Sequence, residues 1–182
     1  MPIVPGPNQV NPLLWKDNDL PKIVFESDSA GLFGFAVQEI TDGDWNHAML
    51  MHKSGLVASM DFSGFHEDKI SAYMKDNIAL KFYSFVNMTS DQKNNMMAII
   101  NEKLKTQRSW WAYDWTGIVG QALHIPALRN PYQKFCSEQA ADIVRQSMNW
   151  PIPGGLNPNG LEQWCADNIR LVIPEGTSVG RK

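Results

Sequence analysis

The chain has few cysteines, few charged side chains and no long apolar run. Its two cysteines are too few for a disulfide framework, and they lack the CxxC spacing of a structural zinc site. Charged residues make up 19% of the sequence and the net charge is -3, so no basic surface is expected for nucleic acid. No apolar run approaches the roughly 20 residues that a membrane-spanning helix needs, and we expect no membrane span.

Two further absences narrow the class of protein. The N-terminus lacks the basic segment and apolar run of a signal peptide, which predicts a cytoplasmic protein with reduced thiols. Neither a GxGxxG nor a GxxxxGK[ST] motif is present, so we expect no nucleotide cofactor.

Hydrophobic residues make up 43% of the 182 residues, enough for the core of one domain. Three prolines among the first seven residues, followed by Asn and Asp, predict an extended N-terminal arm over 1–20. Within it, Leu13, Leu14 and Trp15 are candidate anchors. The predicted domain covers 21–175, and a loose tail is predicted over 176–182.

Hydrophobic periodicity predicts a mixture of strands and helices. The predicted strands cover 23–25, 48–51, 56–61, 79–86 and 170–173. The predicted helices cover 30–40, 67–74, 90–105, 115–123, 136–148 and 157–167. Because most strands lie together in the middle of the chain and do not alternate with helices, we predict an α+β fold.

Cys136 is the first candidate for chemistry because it lies where an amphipathic helix is predicted to begin. Free N–H groups and the helix dipole at such a position stabilise a thiolate, the nucleophilic form of cysteine. The same position also suits a buried structural cysteine. Cys165 lies in the middle of a predicted helix and is expected in the core.

Four histidines are candidate partners for Cys136. His47 opens a buried strand, where a side chain can face a cleft. His52 lies five residues later and should point to the opposite face of the same strand. His66 and His124 lie in surroundings typical of solvated histidines.

A catalytic histidine also needs a group that holds its ring. Ser59 and Asp61 lie two residues apart on the next predicted strand and therefore share a face. Asp61 would supply negative charge, whereas Ser59 would supply only a neutral acceptor. Asp42 and Asp44 are closer to His47 in the sequence but are assigned to a turn.

The order of these segments resembles a known family. The segments are GDWNHAML (43–50), GLVASM (55–60), YDWTG (113–117) and FCSE (135–138). Together they are similar to the circularly permuted, papain-like NlpC-type cysteine hydrolases of the YiiX-like group, relatives of the lecithin retinol acyltransferases. The resemblance covers about residues 21–173 and implies a mostly antiparallel sheet packed on the helix that begins at the cysteine.

The resemblance implies that Cys136 is the nucleophile and His47 the general base, with no cofactor or metal. The family's third polar residue, often Glu or His, corresponds to Ser59 here, which is a departure from the pattern; Asp61 is the candidate substitute. The implied substrate is an amide or ester of a small molecule, a peptide or a lipid-like acyl group.

Two other functions are compatible with the same residues. The chain could be a papain-like scaffold without catalysis, serving as a binding or structural module, which would account for the missing acidic or imidazole third residue. A metal site using His47, Cys136 and another histidine is the third hypothesis.

Overall fold

The computed structural model describes residues 9–27, 44–61, 63–75, 78–107 and 136–179. The strands in these ranges are β1 (Lys22–Ser27), β2 (His47–Lys53), β3 (Leu56–Asp61), β4 (Gly64–Lys69), β5 (Ala79–Phe85) and β6 (Val172–Val179). The α-helices are α1 (Ser90–Thr106), α2 (Cys136–Met148) and α3 (Pro158–Asp167). Three short 3-10 helices cover Pro12–Leu14, Asp17–Asp19 and Ile70–Ala72.

The strands form one sheet in the order β4-β3-β2-β1-β5-β6. Every neighbouring pair in this sheet is antiparallel. Strands β2 and β3 are joined by a tight turn at Gly55, whose φ of 72° lies in the left-handed region that glycine adopts without strain. The α+β class predicted from the sequence is confirmed, with an antiparallel sheet and helices that pack on it.

The sheet is buried on both faces. On the face that we call the helix face, Phe25, Ala48 and Leu50 belong to one core cluster with Ile143 and Val144 of α2. On the opposite face, which we call the arm face, the clustered residues come from the strands, the N-terminal arm and the segment after β4: Leu20, Val24, Met49, Met51, Val57, Ile70 and Phe82, with Trp15 and Tyr73 packed against them. Burial on both sides explains why the central strands have almost uninterrupted apolar sequences.

Helices α1 and α3 begin at side-chain caps. The Thr89 hydroxyl accepts a hydrogen bond from the Gln92 N–H at 3.2 Å, and the Gln92 side chain accepts one from the Thr89 N–H at 2.9 Å, which together form a capping box. Asn157 accepts from the Gly160 N–H at 2.7 Å in the same way. These caps satisfy N–H groups that the first helical turn leaves unpaired and fix where each helix begins.

The helix predicted over 67–74 is wrong. Residues up to Lys69 belong to β4, which pairs with β3 along its length, and only Ile70–Ala72 forms a short 3-10 helix. Ile70, Tyr73 and Met74 have the spacing of a helix, which is why a helix is predicted here. The preceding residues instead form a strand, whose Phe65 is buried in the core on the helix face of the sheet. Pairing with the free edge of β3 therefore overrides the local periodicity.

The loose tail predicted from Gly176 is also wrong as far as Val179. Strand β6 continues to Val179, which pairs with Ala79 of β5. The register shifts between Phe82 and Tyr83, close to Gly176 with its φ of 138°. A bulge at glycine allows the strand to continue along β5.

The N-terminal arm is held by Trp15. The Trp15 ring packs edge-on against Phe82 with centroids 4.8 Å apart, and Lys22 Nζ lies 4.5 Å from its centroid. Leu13 and Leu14 are 50% and 74% exposed, so they do not anchor the arm.

Several predictions fall outside the described residues: the helices over 30–40 and 115–123, the positions of Asp42 and His124, and the YDWTG segment of the family resemblance. Within the described ranges, none of the helices combines the length and the apolar character needed to cross a membrane.

Candidate functional site

Cys136 is the first residue of α2 and is only 4% exposed. The backbone N–H groups of Ala48, Ser137 and Cys136 itself act to lower the pKa of the thiol and so favour the thiolate. Burial outweighs them and raises the pKa of the Cys136 thiol to about 11. The thiol is therefore protonated at neutral pH, although it lies at a helix start.

The start of α2 is fixed by the residue that follows the cysteine. The Ser137 hydroxyl donates a hydrogen bond to the Leu156 carbonyl at 2.7 Å, and Ser137 is fully buried. Because Leu156 lies just before α3, this contact ties the first turn of α2 to the segment that opens the next helix.

His47 is the first residue of β2 and lies opposite Glu26 of β1. Its ring lies nearly parallel to the Tyr73 ring, with centroids 6.3 Å apart and an interplanar angle of 15°. Desolvation lowers the pKa of His47 to about 4, partly opposed by the negative charge of Asp61. At neutral pH the imidazole is therefore neutral and able to accept a proton.

The backbone brings Cys136 and His47 together, but their side chains do not touch. Ala48, whose N–H helps to lower the pKa of the Cys136 thiol, directly follows His47. Ala48 faces the helix face, and strand alternation places the His47 ring on the arm face with Tyr73. Within the described ranges, no hydrogen bond joins the imidazole to the thiol.

Ser59 and Asp61 share one face of β3, as their spacing predicts, and the structure shows that this is the arm face, where His47 also lies. Ser59 is 2% exposed and lies between Met49 of β2 and His66 of β4. Its hydroxyl interacts with the Tyr73 side chain and partly opposes the rise in the pKa of Tyr73, although it makes no hydrogen bond of normal geometry in the described part of the chain. Asp61 accepts hydrogen bonds from the N–H and the hydroxyl of Ser63, at 2.7 and 2.6 Å, so it influences His47 only through its charge.

Sequence reasoning missed the polar groups that surround His47 on the arm face. The Tyr73 hydroxyl donates to Asp68 Oδ2 at 3.1 Å, and His66 Nε2 lies 2.8 Å from the same oxygen. Burial raises the pKa of Tyr73, so its hydroxyl keeps its proton. Sequence patterns did not indicate this cluster because they predicted a helix over 67–74. Residues two apart, such as His66 and Asp68, lie on one face only in a strand.

His52 lies on the helix face, opposite to His47, as the spacing of the two residues predicts. Its Nε2 lies 3.0 Å from Glu67 Oε2, and the Lys53 amine lies 3.2 Å from the same oxygen. Burial lowers the pKa of His52 to about 4. Cys165 belongs to the core as predicted, and burial raises the pKa of its thiol.

The described residues contain no group of three or more His, Cys, Asp or Glu side chains that could hold a metal ion. Scans against protein-family models and curated proteins find no match to this chain. The assignment of function therefore depends on the geometry around Cys136 and His47.

Proposed function

We propose that this protein is a cysteine hydrolase that cleaves an amide or ester bond through an acyl-enzyme on Cys136. The observation that carries the proposal is the position of Cys136 as the first residue of α2, where the backbone N–H groups of Ala48, Ser137 and Cys136 itself favour the thiolate. N–H groups in such a position can also bind the oxyanion that forms when a carbonyl is attacked. The resemblance to permuted papain-like hydrolases assigns the same cysteine.

His47 is the general base in the proposed mechanism. As the Cys136 sulfur bonds to the substrate carbonyl carbon, the thiol proton passes to the neutral imidazole. Collapse of the tetrahedral intermediate breaks the bond to the leaving amine or alcohol, which takes that proton from His47. Water then attacks the acyl-enzyme, releases the acid and restores the thiol.

This mechanism requires movement of His47. In the free protein the imidazole packs beside Tyr73 on the arm face of the sheet. To reach the thiol it must move past the first residue of β2 to the helix face, where α2 packs. The carboxylates of Asp61 and Asp68 both favour the protonated imidazole electrostatically. Where the ring packs beside Tyr73, Asp61 stabilises the imidazolium by charge, and this stabilisation weakens as the ring leaves the arm face. Ser59 at the family's third position offers only a hydroxyl.

A second function is a papain-like scaffold that binds a partner without catalysis. It is favoured by the 4% exposure of Cys136 and by the pKa of about 11 of its thiol. The location of the His47 ring on the other face of the sheet favours it too. The two functions differ in whether Cys136 becomes acylated.

Acylation is tested by incubating the protein with p-nitrophenyl acetate, quenching in acid and measuring the intact mass. We expect one acetyl group, which peptide mapping places on Cys136. The Cys165→Ala variant should keep the adduct and the Cys136→Ala variant should lose it. A protein without an adduct on Cys136, or with equal acetylation of both cysteines, would contradict the hydrolase and leave the binding module.

A further inference from the structure

We propose that Asn159 is a positioning residue for the Cys136 site, holding the backbone that carries His47 and the Ala48 N–H. Its part in catalysis rests on the proposed function, but its effect on the backbone does not. Asn159 lies in the first turn of α3.

The Asn159 side chain binds both backbone polar groups of Trp45, which lies just before β2. Its Oδ1 accepts a hydrogen bond from the Trp45 N–H at 2.9 Å, and its Nδ2 donates to the Trp45 carbonyl at 2.9 Å. The paired residues are 114 positions apart in the chain. A side-chain amide that closes two such bonds fixes the position and the orientation of the backbone that it binds.

Asn159 is itself held rigidly. Asn157 caps α3 by accepting the Gly160 N–H at 2.7 Å, and the Ser137 hydroxyl binds the Leu156 carbonyl just before that cap. The segment 156–160 is therefore tied to the start of α2 at one point and to Trp45 at another. Through these bonds, the start of α3 sets the distance between the cysteine helix and the entry to β2.

The entry to β2 depends on this contact because it precedes the sheet. Trp45 lies two residues before His47, where β2 begins, and the Asn46 N–H donates to the Glu26 carbonyl at 3.0 Å. The ring centroids of Trp45 and Phe25 lie 6.3 Å apart. This packing holds the Trp45 side chain but does not orient its backbone. Loss of the two Asn159 bonds would free the backbone that leads into His47 and Ala48.

The test compares Asn159→Ala and Asn159→Asp with the control Asn168→Ala. Asn168 is a matched amide at the end of α3, where its Nδ2 donates to the Trp164 carbonyl at 2.7 Å. Aspartate preserves the volume and the acceptor but places a carboxylate against the Trp45 carbonyl, so the test does not depend on the alanine variant alone. Both Asn159 variants are expected to impair the site, and Asn168→Ala is not.

The first readout is amide hydrogen exchange by NMR, which needs no turnover. In both Asn159 variants we expect exchange at the Ala48 N–H to accelerate about tenfold, the scale of one lost hydrogen bond. Exchange at Leu50 in the same strand should change by less than about twofold. Unchanged exchange at Ala48, or equal acceleration at Leu50 or in Asn168→Ala, would overturn the proposal.

The second readout is the acetylation of Cys136. With p-nitrophenyl acetate we expect kcat to fall about tenfold or more in the Asn159 variants, with KM unchanged. A parent protein that is not acetylated would refute the hydrolase, while the exchange at Ala48 would still decide the role of Asn159. An unchanged kcat with accelerated exchange at Ala48 would overturn the catalytic part of the proposal.

Discussion

Replacing Cys136 with alanine is expected to lower kcat/KM for hydrolysis of an aryl ester by at least about 10³-fold. The reason is that the acyl-enzyme forms on the sulfur, so that without it neither the N–H groups at the start of α2 nor His47 has a nucleophile to assist. The measurement is steady-state hydrolysis of p-nitrophenyl acetate, with the circular dichroism spectrum as a check on folding. Cys136 is only 4% exposed, and the small volume of alanine should leave the fold in place.

The matched control is Cys165→Ala, which removes the other buried thiol from α3. Its kcat/KM should stay within about threefold of the parent value because Cys165 lies in the core and not at the candidate site. A second variant, Cys136→Ser, keeps the shape and should be nearly as inactive, since a hydroxyl loses its proton far less readily than a thiol. Hydrolysis that survives in Cys136→Ala would contradict the assignment of the nucleophile.

Replacing Ile143 with alanine is expected to lower the free energy of unfolding by about 2–5 kcal/mol. Ile143 is fully buried on α2, in the cluster that joins this helix to the helix face of the sheet. Truncation removes buried apolar surface and leaves a cavity between α2 and the strands. Urea denaturation measures the change, from the shift of the midpoint at constant m-value.

The control for this prediction is Ile169→Ala, the same substitution at a residue that is 63% exposed. It should change the free energy of unfolding by less than about 0.5 kcal/mol. Equal effects of the two substitutions would contradict the packing of α2 on the sheet. That packing matters for function because α2 carries Cys136.

Much of the secondary structure could be predicted from local patterns. The helix over 136–148 has an amphipathic period, and its observed bounds agree with the prediction. The error over 67–74 arose because Ile70, Tyr73 and Met74 fit a helix locally, whereas β3 supplies the partner that decides the structure. Pairing between distant segments is the information that a local period does not contain.

The candidate site was predictable in its parts but not in its arrangement. Sequence patterns placed Cys136 at a helix start and His47 at a strand start, as the structure has them. They did not show that His47 faces Tyr73, because that contact depends on where β4 ends. The bond between Asn159 and Trp45 joins distant segments, and no local pattern indicates it.

The pKa values were also beyond sequence reasoning. A helix N-terminus alone predicts a lowered thiol pKa, but burial raises the pKa of Cys136 to about 11. Burial likewise lowers the pKa of His47 to about 4. The structure thus favours a neutral thiol and a neutral imidazole, and the proton must move during attack rather than before it.

The most direct measurement of the central claim is the pH dependence of iodoacetamide labelling at Cys136, in the parent and in His47→Ala. Without His47, labelling depends on the thiolate alone and should rise tenfold per pH unit toward the thiol pKa of about 11. With His47 as the base, we predict at least about 10²-fold faster labelling at neutral pH and a weaker pH dependence. Cys165 in the same sample is the internal reference. Identical profiles in the two proteins would contradict the role of His47.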